Sequence, residues 1–113
     1  MIHCFYRRAL VFENKRLAGR LVETGSGYRF TYDEAYLADP KTPSISIRLP
    51  KRVEPYDSEF LHAFFYGLMP GGLAQDAACA DIRPNDYFGQ LLRVGAHPLV
   101  RGSVTVVPDE TSL

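Results

Sequence analysis

The chain has no tryptophan, only two cysteines and no excess of either charge: Lys plus Arg and Asp plus Glu each number 13 among 113 residues. Each shortage excludes something. Without a basic excess nothing global holds a phosphate backbone, so nucleic-acid binding would need a local patch. Cys4 and Cys79, with His3, His62 and His97, show no metal-ligand spacing, and no metal or other cofactor is expected. No apolar run is long enough for a secretory leader or a membrane span. A cytoplasmic chain with two free thiols is therefore expected, because reducing compartments disfavour a Cys4–Cys79 bridge. No GxSxG elbow is present. Gly25-Ser26-Gly27 lacks the Lys-Ser/Thr and the helix that a phosphate cradle needs. The carboxylate pairs Asp33-Glu34 and Asp109-Glu110 lie in loop or tail segments and read as solvated. An enzyme acting alone is not expected.

What remains is an ordinary globular composition, 46% hydrophobic and 23% charged. The length suits one domain, residues 1–113, burying roughly two-thirds of the unfolded chain's surface. Seven Tyr and seven Phe supply the bulk that tryptophan does not.

Residues 5–12, FYRRALVF, read as a strand. Asn14-Lys15 reads as a short hairpin turn, since Asn tolerates positive φ. Residues 16–23 alternate imperfectly and read as a second strand. Gly25-Ser26-Gly27 is a turn. Residues 28–32, YRFTY, put Tyr28, Phe30 and Tyr32 on one face, the clearest strand in the chain. Residues 33–43 read as a loop with room for a helical turn at 33–37. Residues 44–49, SISIRL, alternate again and predict a fourth strand, ended by Pro50.

The middle reads as helical. Asp57 or Ser58 can cap, Glu59 suits a first turn, and Phe60, Leu61, Phe64, Phe65 and Leu68 form one apolar stripe. On that helix His62 falls on the polar side and reads as a surface residue. Pro70 and Gly71-Gly72 stop the helix. A second helix with small residues is expected over roughly 73–81. A third follows an Asn85 or Asp86 cap, with Phe88, Leu91 and Leu92 on one face and Gly95 as its stop. Residues 102–107 predict a last strand. The order predicts an α+β domain: a mostly antiparallel sheet, built from an N-terminal meander and a C-terminal strand, packed with about three short helices.

Two features carry functional readings. The dibasic pairs Arg7-Arg8, Lys15-Arg16 and Lys51-Arg52 would form a nucleic-acid surface if the fold gathered them. Exposed edges and loops are also where Lys and Arg ordinarily stand. The second feature is FFYGLMPGGL at 64–73, where apolar residues surround a backbone that cannot stay helical. It is either an inward-packed corner or a knuckle presented to a partner.

Several segments in order resemble the N-terminal subdomain of HipA-type serine/threonine kinases, the toxins of HipBA toxin–antitoxin systems. They are LAGRLVETGSGYRFTYDEAYLADP at 17–40, SISIRLP at 44–50, FFYGLMPGG at 64–72 and DYFGQLLRVG at 86–95. In that family a G-x-L strand leads to a Y-x-F-x-Y strand, a Y-L loop and a strand ending in S-L-P. A helix ending in F-x-x-L-L-P-E-G and one carrying D-x-F-x-L-L follow. The ATP-binding loop and catalytic Asp of such kinases have no counterpart here, so the chain looks like the stand-alone HipS type of tripartite HipBST systems. The resemblance implies an antitoxin that docks on a HipT-like kinase beside a HipB-like helix-turn-helix protein, and that meets DNA only indirectly and membranes not at all. It implies a kinase-binding corner made by Phe64, Tyr66, Leu68, Met69, Pro70, Gly71, Gly72 and Leu73. Gly71 stands where the family usually has Glu, and Leu73 where it has Trp. The Gly-rich G-G-D-x-x-G-A-V run that usually follows the third helix is replaced by residues 94–104, which keep only the closing G-S-V. Two alternatives stay open. One is a non-inhibitory subunit completing a split kinase. The other is a small nucleic-acid-binding domain using Arg7, Arg8, Arg16, Lys51 and Arg52.

Overall fold

A computed structural model describes residues 7–68, 79–83, 85–94 and 104–109. Strands β1 (Arg8–Glu13), β2 (Arg16–Thr24) and β3 (Gly27–Tyr32) form the expected meander. Helix α1 is Glu34–Ala38. Strand β4 is Tyr56–Ser58, helix α2 is Ala63–Tyr66, helix α3 is Tyr87–Val94 and strand β5 is Val104–Pro108. The sheet order is β4-β3-β2-β1-β5, and every neighbouring pair is antiparallel.

The β1–β2 hairpin turns on Asn14 and Lys15, both at positive φ (51° and 70°). That backbone matches the right-handed twist of the flanking strands. The imperfect alternation in β2 has a physical cause. Val11 pairs with Gly19 but Phe12 pairs with Leu17, which leaves Ala18 as a bulge. The bulge shifts the side-chain phase by one, so Ala18 and Leu21 are both fully buried despite their odd spacing. The bulge also leaves the Ala18 carbonyl to accept the Asp33 N–H, 2.8 Å.

Gly19 sits in β2 where β3 presses close against it. A Cβ there would lie 2.3 Å from the Thr31 carbonyl oxygen and 2.9 Å from the Phe30 ring. Gly19→Ala is therefore expected to destabilise the domain by about 2 kcal/mol through overpacking. A urea midpoint equal to that of the parent chain would refute this.

Ala9, Val11, Leu21, Phe30, Tyr32, Val104 and Val106 line one face of the sheet and are buried. The helices cover that face with Tyr36, Phe65, Phe88 and Leu91. Ring contacts join the layers: Phe30 to Phe65 at 5.4 Å, Tyr28 to Phe88 at 5.8 Å, and Tyr32 stacked on Tyr36 at 5.9 Å.

Two expectations fail. Residues 44–49 are not a strand; Ser46 and Leu49 form an isolated bridge across a tight turn. The Ser46 hydroxyl accepts the Arg48 N–H (3.1 Å) and its carbonyl the Leu49 N–H (3.0 Å). Side-chain bonding of this kind competes with sheet ladders. Ile45 and Leu49 are buried as the alternation predicts, but Ile47 at the tip is 95% exposed. The loop is anchored from inside. The Tyr32 hydroxyl donates to the Leu49 carbonyl and accepts from the Ile45 N–H (3.0 Å). The Tyr36 hydroxyl, pushed up to about 12 by burial and so always protonated, donates to the Pro43 carbonyl.

The first long helix is also absent. Asp57 and Ser58 do not cap it, because Tyr56–Ser58 pairs with β3 instead. Arg29 and Asp57 stand opposite each other and form a two-point ion pair (2.6 and 3.1 Å). Long-range pairing here overrides a local helical pattern. Glu59 and Phe60 lie in the connection between β4 and α2, with Phe60 exposed. Helix α2 keeps a single turn. The expected second helix falls largely on 73–78, outside the described residues; Cys79–Asp81 form a turn closed by the Ile82 N–H. Helix α3 stands where the third helix was expected.

Candidate docking site

Helix α2 is anchored chiefly by Phe65. Phe65 is fully buried between Phe30, Phe64 and His62. Successive helical residues are rotated by about 100°, so Phe65 inward turns Tyr66 outward. Tyr66 is 51% exposed and Phe64 and Leu68 are partly buried against the core. Tyr66 meets Tyr87, the first residue of α3, edge to face at 5.1 Å, and Tyr87 is 41% exposed. The two rings make an aromatic ledge where α2 and α3 touch. Such a pair contributes about 1 kcal/mol of mutual attraction and leaves its outer surfaces to solvent. Met69, Pro70, Gly71, Gly72 and Leu73 lie outside the described residues. The structure thus brings Tyr66 to the surface, splits Phe64 and Leu68 toward the core, and adds Tyr87, which no periodicity in the sequence singled out.

The start of α3 is fixed by a second arrangement invisible in sequence. Asp86 accepts the Gly89 N–H at 3.0 Å, capping the helix. Arg7 grips both Asp86 oxygens (2.8 and 2.9 Å) and both Glu23 oxygens (2.8 Å each). Its guanidinium also lies 5.3 Å over the Phe88 ring. The hydrogen bonds from Arg7 hold the Glu23 and Asp86 carboxyls below the ordinary carboxylate range. The partners are 16 and 79 residues away in sequence, so only the fold could reveal them.

The basic pairs are not gathered into one free patch. Arg7 is bound as described. Arg16 pairs with Asp39. Lys51 donates to the Asp39 and Thr42 carbonyls (2.9 Å each) and the Thr42 hydroxyl (2.7 Å). Arg52 lies 3.7 Å over the Tyr56 ring and donates to the Glu54 and Pro55 carbonyls. These cations brace their own loops. Among the described residues no cluster of His, Cys, Asp and Glu could hold a metal ion. No described helix is long and apolar enough to cross a membrane.

His62 departs from expectation. It precedes α2, is half-buried, and its Nε2 lies 2.8 Å from the Tyr56 carbonyl oxygen. The surface reading assumed a helix that β4 replaces.

A sequence model described as the HipA N-terminal domain matches residues 9–107. The chain belongs to the HipA N-terminal domain family. This family assignment agrees with the resemblance read from the ordered motifs. A solved structure of the N-terminal domain of HipA toxin superposes with a TM-score of 0.72. The match covers 98% of this chain and 100% of that one at 20% identity, which shows a shared fold. The protein named "Putative kinase Y4mE" of Sinorhizobium fredii (strain NBRC 101917 / NGR234) is 31% identical over 103 residues, 88% of this chain. The chain spans 24% of that relative's length.

Proposed function

We propose that this HipA N-terminal domain is a non-catalytic docking module for a HipA-type serine/threonine kinase. It would bind through the ledge at the end of α2 and restrain phosphoryl transfer, as an antitoxin does. The observation that supports the reading is the half-exposed Tyr66–Tyr87 pair where α2 and α3 touch. Exposed aromatic pairs are typical anchors of protein interfaces, where a rigid ring buries much area at small entropic cost. Inhibition would be steric and conformational: an occupied corner disfavours the closed state that phosphoryl transfer needs. A HipB-like helix-turn-helix protein would complete the complex and contact the DNA.

One observation favours a second reading. The relative named as a kinase carries this domain as 24% of a longer chain. The domain could therefore complete a kinase without inhibiting it.

One experiment separates the two. A HipA-type kinase from the same genome is purified with and without this chain, and its autophosphorylation is followed. Under the first reading the complex forms and phosphorylation falls. Tyr66→Ala and Leu73→Asp then weaken binding about tenfold or more, the cost of a lost anchor. Complex formation with unchanged or increased phosphorylation supports the completing role. No complex with any such kinase would sink both.

A further inference from the structure

His62 sits at the junction of β4 and α2, the helix that carries Tyr66 of the ledge. Its Nε2 reaches the Tyr56 carbonyl of β4 (2.8 Å), its ring packs edge-on to the buried Phe65 ring of α2 (5.7 Å, 84°), and its own carbonyl accepts the Tyr66 N–H (3.0 Å). A carbonyl only accepts, so Nε2 carries the proton. Nδ1 is then a bare lone pair. It is buried and has no hydrogen-bond partner, alone in this among the described side-chain polar atoms. A proton added at Nδ1 would be a buried N–H⁺ facing no acceptor, which costs the full desolvation of a charged donor.

We propose that His62 is a proton-operated latch: neutral, it ties α2 to β4, and protonated, it releases α2 and the aromatic ledge that α2 presents. The charged groups around it do not cancel this response. Asp57 of β4 is the carboxylate that acts on the ring, and Arg29 of β3 already holds it at two points. The Phe65 ring against it supplies no charge. Burial outweighs the Tyr56 carbonyl and then Asp57, both of which favour the charged ring, so the imidazole resists protonation in the folded chain. A histidine takes up its proton near pH 6.5 when unfolded. Opening therefore binds a proton that the closed state refuses. Closure is at full strength above about pH 6.5 and weakens as pH falls below it, by up to about tenfold in the opening equilibrium per pH unit.

The test uses the whole chain. Amide hydrogen exchange at Tyr66, Gly67 and Leu68 is compared with that of β1 and β2 at pH 7.5 and 5.5, after correction for intrinsic rates. Protection of the α2 amides is expected to fall about tenfold at the lower pH while the sheet holds. His62→Gln keeps an N–H donor without a titrating ring, and its α2 protection is expected to be the same at both pH values. If that variant does not fold, titration of the His62 ring resonances in the parent chain still decides, set against the ordinary histidine midpoint of about 6.5. An ordinary or raised midpoint for His62 would overturn the latch, as would an equal loss of α2 protection in His62→Gln. The latch is read in the free chain. Its effect on kinase docking rests on the reading above, and complex formation at pH 7.5 tests that reading separately.

Discussion

Phe65→Ala is expected to lower the unfolding free energy by about 4 kcal/mol, the middle of the range for truncating a buried ring. The reason lies in what else holds α2. It has four residues, too few to be stable by propensity, because helix nucleation fixes several dihedrals for one hydrogen bond. His62 offers no side-chain cap. The main anchor of α2 is Phe65, fully buried against Phe30 and Phe64, with the partly buried Leu68 and the His62–Tyr56 contact beside it. Truncation leaves a cavity between the sheet and α2, and the neighbouring rings cannot relax fully into it. A domain of this size has a total stability on the order of 10 kcal/mol, so a large fraction is lost. Urea unfolding should show a lower midpoint at an unchanged slope. Tyr66 and Tyr87 should also lose their mutual ring-current shifts. A loss below about 1 kcal/mol would mean that α2 does not depend on the core in this way.

The second large effect is at Asp86. Asp86→Ala is expected to cost about 2–3 kcal/mol. Roughly 1 kcal/mol comes from the lost helix cap. The rest comes from the charge-assisted bonds to Arg7, discounted because 40% of the Arg7 side chain and 29% of Asp86 remain exposed. The conservative variant separates the parts. Asparagine caps a helix about as well as aspartate but carries no charge, so Asp86→Asn should lose only about half as much. A pH dependence follows from the same contacts. The folded-state carboxyls of Glu23 and Asp86 lie below their ordinary values because Arg7 holds them ionised. On acidification the unfolded chain takes up protons before the folded one does. Their contribution is therefore complete above about pH 4.5 and shrinks as pH falls below it. Asp86→Asn should flatten that acid limb. Equal costs for the Ala and Asn variants would show that the cap contributes nothing, and an unchanged acid limb would remove the ion pair from the account.

Much of the fold was legible in the chain. The turn at Asn14-Lys15, the alternation of Tyr28, Phe30 and Tyr32, and the Asp86 cap before an apolar 3.6-residue pattern are local signals, and each local choice agrees with the tertiary arrangement. The order of motifs carried the family for the same reason, since a fold of this kind demands its turns and buried rings in sequence.

The misread parts share one cause. Ser44 to Leu49 has a strand's alternation, yet Tyr32 reaches out of β3 to bind its backbone at Ile45 and Leu49, and Tyr36 of α1 holds Pro43 just before it. Phe60 to Leu68 has a helix's stripe, yet β3 captures Tyr56–Ser58 at its edge and shortens the helix to one turn. Local pattern reports which residues can be buried; long-range hydrogen bonding decides which backbone geometry buries them. The candidate site divides in the same way. Composition and pattern by themselves determined an aromatic-rich α+β domain without metal or nucleophile motifs, with an apolar run broken by Pro70-Gly71-Gly72 after Phe64. Only the tertiary structure decided that Tyr66 faces solvent, that Tyr87 joins it, that Arg7 is bound by two acids, and that His62 is half-buried. Each of those follows from pairing between segments distant in the chain, with β4 on β3 setting the place of His62, α3 beside α2 and Arg7 reaching Glu23 and Asp86, and local pattern holds no record of it.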